Sequence, residues 1–253
     1  MLSTERKLYL LNRLDRDGTI HVKEIARELN ISETTIRRDL MELEQEKRIT
    51  RVYGGALKAG YEHILSESKE AAMTDRMHIN FDIKKRICQK ASELVKDGEC
   101  IFLDGGTSIV PMIDDLAKRP VTIVTHNHLI MQRLHNPLAQ IIFIGGDYNR
   151  KYTMSEGPMA EGMLRLYHFD RAFIGCAGVD VETKKSFTAE MGTRELKKIA
   201  MENARCSYLL IDHEKLKIKG FCKFTDIDTF EQIFCDMSDD LPQELPDNFV
   251  LVK

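Results

Sequence analysis

Ser32-Glu33-Thr34-Thr35-Ile36-Arg37-Arg38-Asp39-Leu40-Met41-Glu42-Leu43 decides how the N-terminal part of this chain is read. A serine hydroxyl ahead of a helix accepts hydrogen bonds from its free first-turn amides, and an acidic residue just inside suits the positive end of the helix dipole. Ser32 and Glu33 therefore predict a capped helix running from Glu33 to about Lys47. Ile36, Leu40 and Leu43 fall at i, i+4 and i+7, which makes one apolar stripe. Thr34, Thr35, Arg37 and Arg38 are left facing outward near the helix start. Hydroxyls and guanidinium forks in that position reach base edges and phosphates in a major groove, so the stretch predicts a recognition helix.

The flanking residues extend the reading in both directions. A shorter helix, Lys23 to Leu29, is expected to bury Ile25, Ala26 and Leu29, with Asn30-Ile31 as the tight turn into the recognition helix. Ahead of it lie a brief β-compatible stretch, Thr19 to Val22, and a first helix. In that helix Leu8, Leu11 and Leu14 recur every three residues as an expected apolar stripe, which stops at Asp15-Arg16-Asp17-Gly18, a glycine suited to a helix C-terminus. Beyond the recognition helix, Arg48 to Ala56 is β-prone around two arginines and broken by Gly54-Gly55. It reads as a two-stranded wing that brings Arg51 and Tyr53 to a DNA backbone. A three-helix bundle with a surface arginine pair accounts for the helices but not for this conjunction, so double-stranded DNA is the expected partner.

Global charge adds little to that case. The net formal charge is -3; residues 1–60 hold 12 Lys/Arg against 10 Asp/Glu, and the remainder 25 against 30. The asymmetry has the sign of a nucleic-acid binder but is small. With 43% hydrophobic and 30% charged residues the composition is that of a globular protein. No apolar run approaches the roughly 18–20 residues of a membrane helix. The first residues lack the basic-apolar-small layout of a signal peptide. Six scattered cysteines with no Cys-x-x-Cys pair suggest free thiols in a reducing compartment. The expectation is a cytoplasmic protein with no membrane partner and no cofactor.

The segment Val22 to Leu40, followed by Leu43-Glu44 and Tyr53-Gly54-Gly55-Ala56, resembles the DNA-binding domain of the DeoR family of bacterial sugar-metabolism regulators. The Ser-x-x-Thr-Ile-Arg-Arg-Asp-Leu string followed by Gly-Gly-Ala carries the likeness.

From Lys58 to about Arg76 the chain is polar and reads as a connector. Beyond it, helices alternate with apolar strands: Cys100–Leu103, Val121–Val124, Gln140–Ile144, Arg171–Ile174 and Ser207–Ile211. Helices are expected over Phe81–Lys96, Ser108–Lys118, Leu129–Leu134, Pro158–Leu166 and Thr193–Ala204. Continuous apolar strands between helices predict a doubly wound α/β domain with a parallel sheet. The strands run into Asp104-Gly105-Gly106-Thr107-Ser108, Thr125-His126-Asn127-His128, Gly145-Gly146-Asp147, Gly175-Cys176-Ala177-Gly178 and Asp212-His213-Glu214-Lys215. Ligands bind outside the carboxyl ends of such strands. Gly105-Gly106-Thr107-Ser108 opening a helix would form an anion cradle. Thr125, Asn127, Gly145 and Gly146 would line it, with Lys197 and Lys215 neutralising a phosphate. Nucleotide motifs are absent, so a small phosphorylated metabolite fits best.

This half resembles the DeoR-type sensor domain, whose fold is related to sugar-phosphate isomerases and coenzyme A transferases. Leu103 to Ser108 stands for Leu-Asp-Ala/Gly-Gly-Thr-Thr, Val124-Thr125-His126-Asn127 for Val-Thr-Asn, Ile144-Gly145-Gly146 for its glycine pair, and Asp212-His213-Glu214-Lys215 for Asp-His-Ser-Lys. His126 and Glu214 depart from the pattern. The resemblance implies a homo-oligomeric repressor of a carbohydrate-utilisation operon, controlled by a phosphorylated sugar. The expected division is 1–58 winged helix-turn-helix, 59–76 linker and 77–253 effector-sensing and oligomerisation domain.

Three other readings compete. An isomerase-like enzyme would use Asp104 with Asp180 or Asp212 as acid and base; yet the loop Gly175 to Asp180 holds one aspartate where the related isomerases carry an acidic pair. A metal site at His126 and His128 has no evident third ligand. A scaffold without a ligand leaves the strand-end loops unused.

Overall fold

The computed structural model describes residues 3–17, 19–46, 48–52, 55–58, 64–65 and 72–253. Contacts divide the chain into two units, 1–63 and 64–253. No helix among the described residues is long and apolar enough to cross a membrane.

The first unit runs α1 (Ser3–Asp17), β1 (Thr19–His21), α2 (Val22–Glu28), α3 (Glu33–Gln45), β2 (Ile49–Val52) and β3 (Gly55–Lys58). Strand β3 pairs antiparallel with both β1 and β2. The wing is therefore the outer hairpin of a three-stranded sheet. The Ser32 hydroxyl accepts from the Thr35 amide at 3.2 Å, capping α3 as its sequence demands. Asn30, with φ of 53°, takes the left-handed conformation that turns α2 into α3. Ile36, Leu40 and Leu43 are buried against Ile25 and Ala26.

Helix α1 departs from the expected stripe. Leu8 is 57% exposed, whereas Leu10 and Leu14 are buried and Leu11 is half-buried. Each three-residue step falls about 60° short of a full turn, so positions 8, 11 and 14 sweep around the helix while the i, i+4 pair stays on one face. Asp39 is also buried on α3, facing α1. It accepts from the Arg6 Nη2 at 2.9 Å, with Nε closer still, and from the Ser3 hydroxyl at 3.4 Å. Gly18, Lys47, Tyr53 and Gly54 lie outside the described residues.

The second unit contains β4 (Ile64–Leu65), α4 (Met73–Met77), α5 (Phe81–Ser92), β5 (Cys100–Leu103), α6 (Ile113–Leu116), β6 (Thr122–Thr125), β7 (Gln140–Phe143), β8 (Asp147–Asn149), β9 (Met154–Glu156), α7 (Gly157–Leu164) and β10 (Phe169–Ile174). It continues with β11 (Gly178–Asp180), β12 (Lys185–Thr188), α8 (Met191–Glu202), β13 (Ala204–Ile211), β14 (Lys219–Gly220), β15 (Cys222–Asp226), β16 (Gln232–Asp236) and β17 (Phe249–Val252). Seven strands form a parallel sheet in the order β17-β16-β13-β10-β5-β6-β7. Ile87, Cys88 and Ala91 of α5 pack on one face with Ile101, Leu103 and Phe173. Leu164 of α7 and Leu196 and Ile199 of α8 pack on the other with Phe102, Ala172 and Ile174. Both faces are covered, which is the doubly wound arrangement. From β5 the chain steps outward to β6 and β7, then returns to β10 on the other side of β5. The strand order reverses there, and a crevice opens between the ends of β5 and β10.

All five expected strands lie in this sheet, and β16 and β17 extend it. Two expected helices are not α-helices along their length. Ser108–Lys118 is a 3-10 turn, Val110–Met112, followed by the four-residue α6, and Leu129–Leu134 is a 3-10 turn spanning His128–Arg133. Residues 107–113 are buried on every side and include Pro111, so packing rather than an amphipathic stripe sets their path. The cradle thus runs through turns, and no long helix dipole points at it. An antiparallel sheet, β11-β12-β15, and the hairpin β8-β9 flank the main sheet. Of the expected linker, Ile64–Leu65 pairs in parallel with Lys219–Gly220, and Met73 is buried in the second unit's core.

Asp39→Ala removes the buried carboxylate that the Arg6 guanidinium holds. It is expected to destabilise the N-terminal unit by about 3 kcal/mol. Arg6→Leu combined with Asp39→Leu is expected to cost less than the single change, read by hydrogen exchange at the α3 amides in the full chain.

Candidate functional site

Asp104 sits at the carboxyl end of β5, fully buried. Its Oδ2 accepts from the Gly175 amide at 2.9 Å across the crevice and pairs with the Lys197 ammonium, which α8 delivers. Lys197 also donates to the Gly175 carbonyl at 3.0 Å. On the other side, His126 Nε2 lies 3.4 Å from Asp104 Oδ1 and Nδ1 2.9 Å from the Ser155 carbonyl. Burial alone would push the Asp104 carboxyl up, but Lys197 and His126 overcome it and hold the group well below the usual carboxylate range. Such a strong acid does not exchange protons near neutrality.

Thr125 and Asn127 are buried behind the cradle and spend their polar groups on it. Thr125 donates to the Leu103 carbonyl at 2.6 Å, and Asn127 Nδ2 to the Asp104 carbonyl at 3.2 Å. They fix the path of the loop rather than facing open space. Gly105 explains why His126 fits: a Cβ there would lie 2.9 Å from the His126 ring and 2.8 Å from Met154. His128 turns to a different partner, the Ser155 hydroxyl at 2.8 Å. No group of three or more His, Cys, Asp or Glu that could hold a metal occurs among the described residues.

The crevice is open to solvent on one side and is lined by Gly105, Gly106, Gly175, Cys176, Ala177 and Lys197, with Met73 and Arg76 of α4, Tyr152, Met154, Thr188, Glu190 and Thr193. Thr107 is buried behind it and accepts from the Lys84 ammonium at 3.1 Å. Lys84, on α5, also donates to the Arg76 carbonyl at 2.8 Å. Burial pushes the Lys84 amine down to about 8; Asp212 opposes this, and the like charges of Lys215 and Arg76 add to it. Lys215, half-buried after β13, forms no ion pair among the described residues. Burial pushes the Cys176 thiol up to about 12. Ser108 is buried next to Thr107, its carbonyl accepting from Cys88. Gly145 and Gly146 stand at the end of β7, outside the lining; Gly146, with φ of 146°, packs on Glu156 and Ala160. Glu190 closes the opposite end, where its carboxylate accepts from Gly192 and Thr193 amides at 2.5 and 2.6 Å and so caps α8.

Lys84, Arg76 and Glu190 are absent from the residues singled out by sequence. Lys84 left a trace: it shares a helical face with Ile87, Cys88 and Ala91, where a lysine is out of place on a solvated reading. Arg76 and Glu190 left none, since each arrives from a segment that reads as connector or loop.

In the first unit, Thr34, Arg37, Arg38 and Arg51 are exposed, Thr35 is half-buried, and Ser32 Oγ lies 2.8 Å from Thr35 Oγ1. The cap, the outward threonines and arginines and the arginine-bearing wing strand form one candidate nucleic-acid face; Tyr53 falls outside the described residues.

The model of the DeoR-like helix-turn-helix domain matches residues 6–59, and that of the DeoR C-terminal sensor domain matches residues 79–237. The chain belongs to the DeoR family. An HTH-type transcriptional regulator of Staphylococcus epidermidis is 32% identical over 220 residues, covering 83% of each chain. The HTH-type transcriptional regulator FruR of Bacillus subtilis is 30% identical, over 90% of this chain and 88% of that one. The lactose phosphotransferase system repressor of Streptococcus mutans is 28% identical, over 95% and 94%. Among solved structures, ribose 5-phosphate isomerase A of Methanocaldococcus jannaschii is 23% identical, with 55% of this chain and 56% of that chain covered and a TM-score of 0.41. This DeoR-family chain is a DNA-binding transcriptional regulator.

Lys197→Met strands the Asp104 carboxylate and is expected to cost the second unit about 3–5 kcal/mol at pH 7, with Asp104→Asn in the same chain recovering much of it. The folded-state pKa of Asp104 lies below its unfolded value near 3.9. The wild-type contribution is therefore complete above about pH 5 and declines as pH falls through the depressed value. Urea titrations from pH 2 to 8 check both effects.

Proposed function

We propose that this regulator is a repressor of a carbohydrate-utilisation operon whose grip on its operator is controlled by a phosphorylated sugar bound at the crevice between β5 and β10. The reading rests chiefly on one observation: Lys84, Lys215 and Arg76 gather around Thr107 beside the crevice with the Asp212 carboxylate among them, while Asp104 is already neutralised by Lys197. Three cations against one carboxylate leave that end net positive, which suits a phosphate. The opposite end is walled by Glu190, Thr188 and Thr193, whose polar groups are bonded to one another and to the start of α8, so it is polar and fixed in shape. The names of the relatives, among them a lactose phosphotransferase system repressor, point the same way. A homo-oligomer would present two recognition helices to successive major grooves, with Ser32, Thr34, Thr35, Arg37, Arg38, Arg51 and Tyr53 at the DNA. Such a target implies a cytoplasmic location.

The route from ligand to DNA is short in sequence. Met73 and Arg76 line the crevice from α4, the first helix after the segment that joins the two units. A ligand that contacts them biases the placement of that segment.

A thermal-shift screen of phosphorylated hexoses and pentoses should find one that stabilises the chain by about 2.7 kcal/mol at 100-fold its dissociation constant. Thr107→Val should retain DNA binding and lose this response. No shift with any sugar phosphate would sink the reading and leave a ligand-free scaffold. A bound phosphate dianion favours the protonated Lys84 amine, so affinity should hold below pH 8 and fall as pH rises above it, with proton uptake on binding. Calorimetry at pH 7 and pH 9 in buffers of different ionisation enthalpy reads this directly, and Lys84→Met should flatten the profile. Arg37→Ala or Arg38→Ala should weaken binding to a selected duplex by roughly 1–3 kcal/mol where the side chain reads a base.

A further inference from the structure

The recognition helix is acidic for a DNA reader. Helix α3 carries Glu33, Asp39, Glu42 and Glu44 against Arg37 and Arg38. Asp39 is turned inward to Arg6, but the three glutamates lie with the arginines assigned to DNA. Arg37 Nη2 is 2.8 Å from Glu33 Oε2, Arg38 Nε 3.3 Å from Glu42 Oε1, and Arg51 Nη1 3.5 Å from Glu44 Oε2. The other Glu44 oxygen accepts from the Arg51 amide at 3.0 Å, and Glu42 also holds Lys7 at 2.6 Å. Every described arginine of the candidate DNA face is therefore paired within the protein.

Exposed pairs of this kind contribute little to folding and are screened by salt. Their effect is larger where phosphates compete for the same guanidinium forks. Sequence-independent DNA affinity comes almost wholly from cations that neutralise phosphates, whereas base-edge contacts supply discrimination. A carboxylate beside each fork subtracts from the first term. It leaves the second available, because a bidentate base contact that fits better than the exposed carboxylate can displace so weak a pair.

We propose that Glu33, Glu42 and Glu44 are selectivity residues: by holding Arg37, Arg38 and Arg51 in ion pairs, they suppress binding to DNA of arbitrary sequence. The proposal rests on the DNA-binding function and goes beyond it in assigning a role to residues that need not touch DNA.

The test uses the full chain and two probes: a 30-base-pair duplex of mixed sequence, and the duplex that the wild-type protein enriches from a randomised pool. At 0.15 M salt, Glu33→Gln, Glu44→Gln and the triple Gln variant should bind the mixed duplex more tightly, about tenfold for the triple variant. Affinity for the enriched duplex should rise less, so selectivity falls. The slope of log affinity against log salt on the mixed duplex should steepen by about 0.9 per arginine released. In an Arg37→Ala background, Glu33→Gln should lose its effect. An equal gain in that background would reduce the effect to net charge and overturn the proposal. So would unchanged affinity for the mixed duplex, or a selective loss on the enriched one, which would make Glu33 a base reader. A wild-type chain that enriches no sequence would instead overturn the DNA-binding function itself, a result distinct from either.

Discussion

A carboxylate with no access to water must be matched in place, and in the second unit that requirement falls on Asp104. It stands where the strand order reverses, so its partners come from three directions: the Gly175 amide from the end of β10, Lys197 from α8 and His126 from the end of β6. Without them the buried charge would be too costly to keep. With them, the ends of three adjacent strands and one helix are tied to a single atom group, and the loop from Gly105 onward leaves it on a fixed path. The match also sets the charge of the crevice. Lys197 is spent on Asp104, so this pair adds no net charge to the crevice.

The first unit uses the same device on a smaller scale. Asp39 lies in the middle of α3 and is buried against Arg6 of α1, so a polar bond as well as the Ile36-Leu40-Leu43 stripe locks the rotation of the recognition helix. That rotation decides which side chains face outward. A helix held only by leucines can slip in register among similar packings, whereas an Asp–Arg pair has one satisfied geometry.

Sequence made legible the features that repeat locally. The Ser32 cap, the α3 stripe and five of the seven strands of the parallel sheet each announce themselves within a dozen residues, and the structure carries all of them. What it did not make legible depends on contacts distant in sequence. The Leu8-Leu11-Leu14 spacing of three pointed to the wrong face of α1, whereas the i, i+4 pair Leu10 and Leu14 is the one buried. Strands β16 and β17 are joined by an irregular stretch with no helix in it to complete the alternation. Within the site, Lys197 is conspicuous as a lysine but its commitment to Asp104 spans 93 residues. Likewise Thr125 and Asn127 read as ligand contacts because they are polar at a strand end, when their hydrogen bonds turn inward to the loop beside them. Whether a polar residue at a strand end faces open space or the neighbouring loop is a question of packing that the sequence does not show.

A ligand at this crevice can alter DNA binding only by the difference in its affinity for the arrangements of the two units, and a contact identical in both contributes nothing. The rigid parts of the site, Asp104 with its partners and the loop fixed by Asn127, belong to the sheet and offer no such difference. Helix α4 is of another kind. It is five residues long, has no side-chain cap at its start, and is held through Met73 in the core and the Met73 amide on the Lys151 carbonyl. It also shares the Arg76 carbonyl with Lys84, which in turn holds Thr107. One amine therefore bridges the cradle and the first helix after the joining segment. A phosphate that draws Lys84 toward itself changes that bridge. Under the proposed function, α4 is the lining element whose displacement would carry a bound ligand's effect into the joining segment.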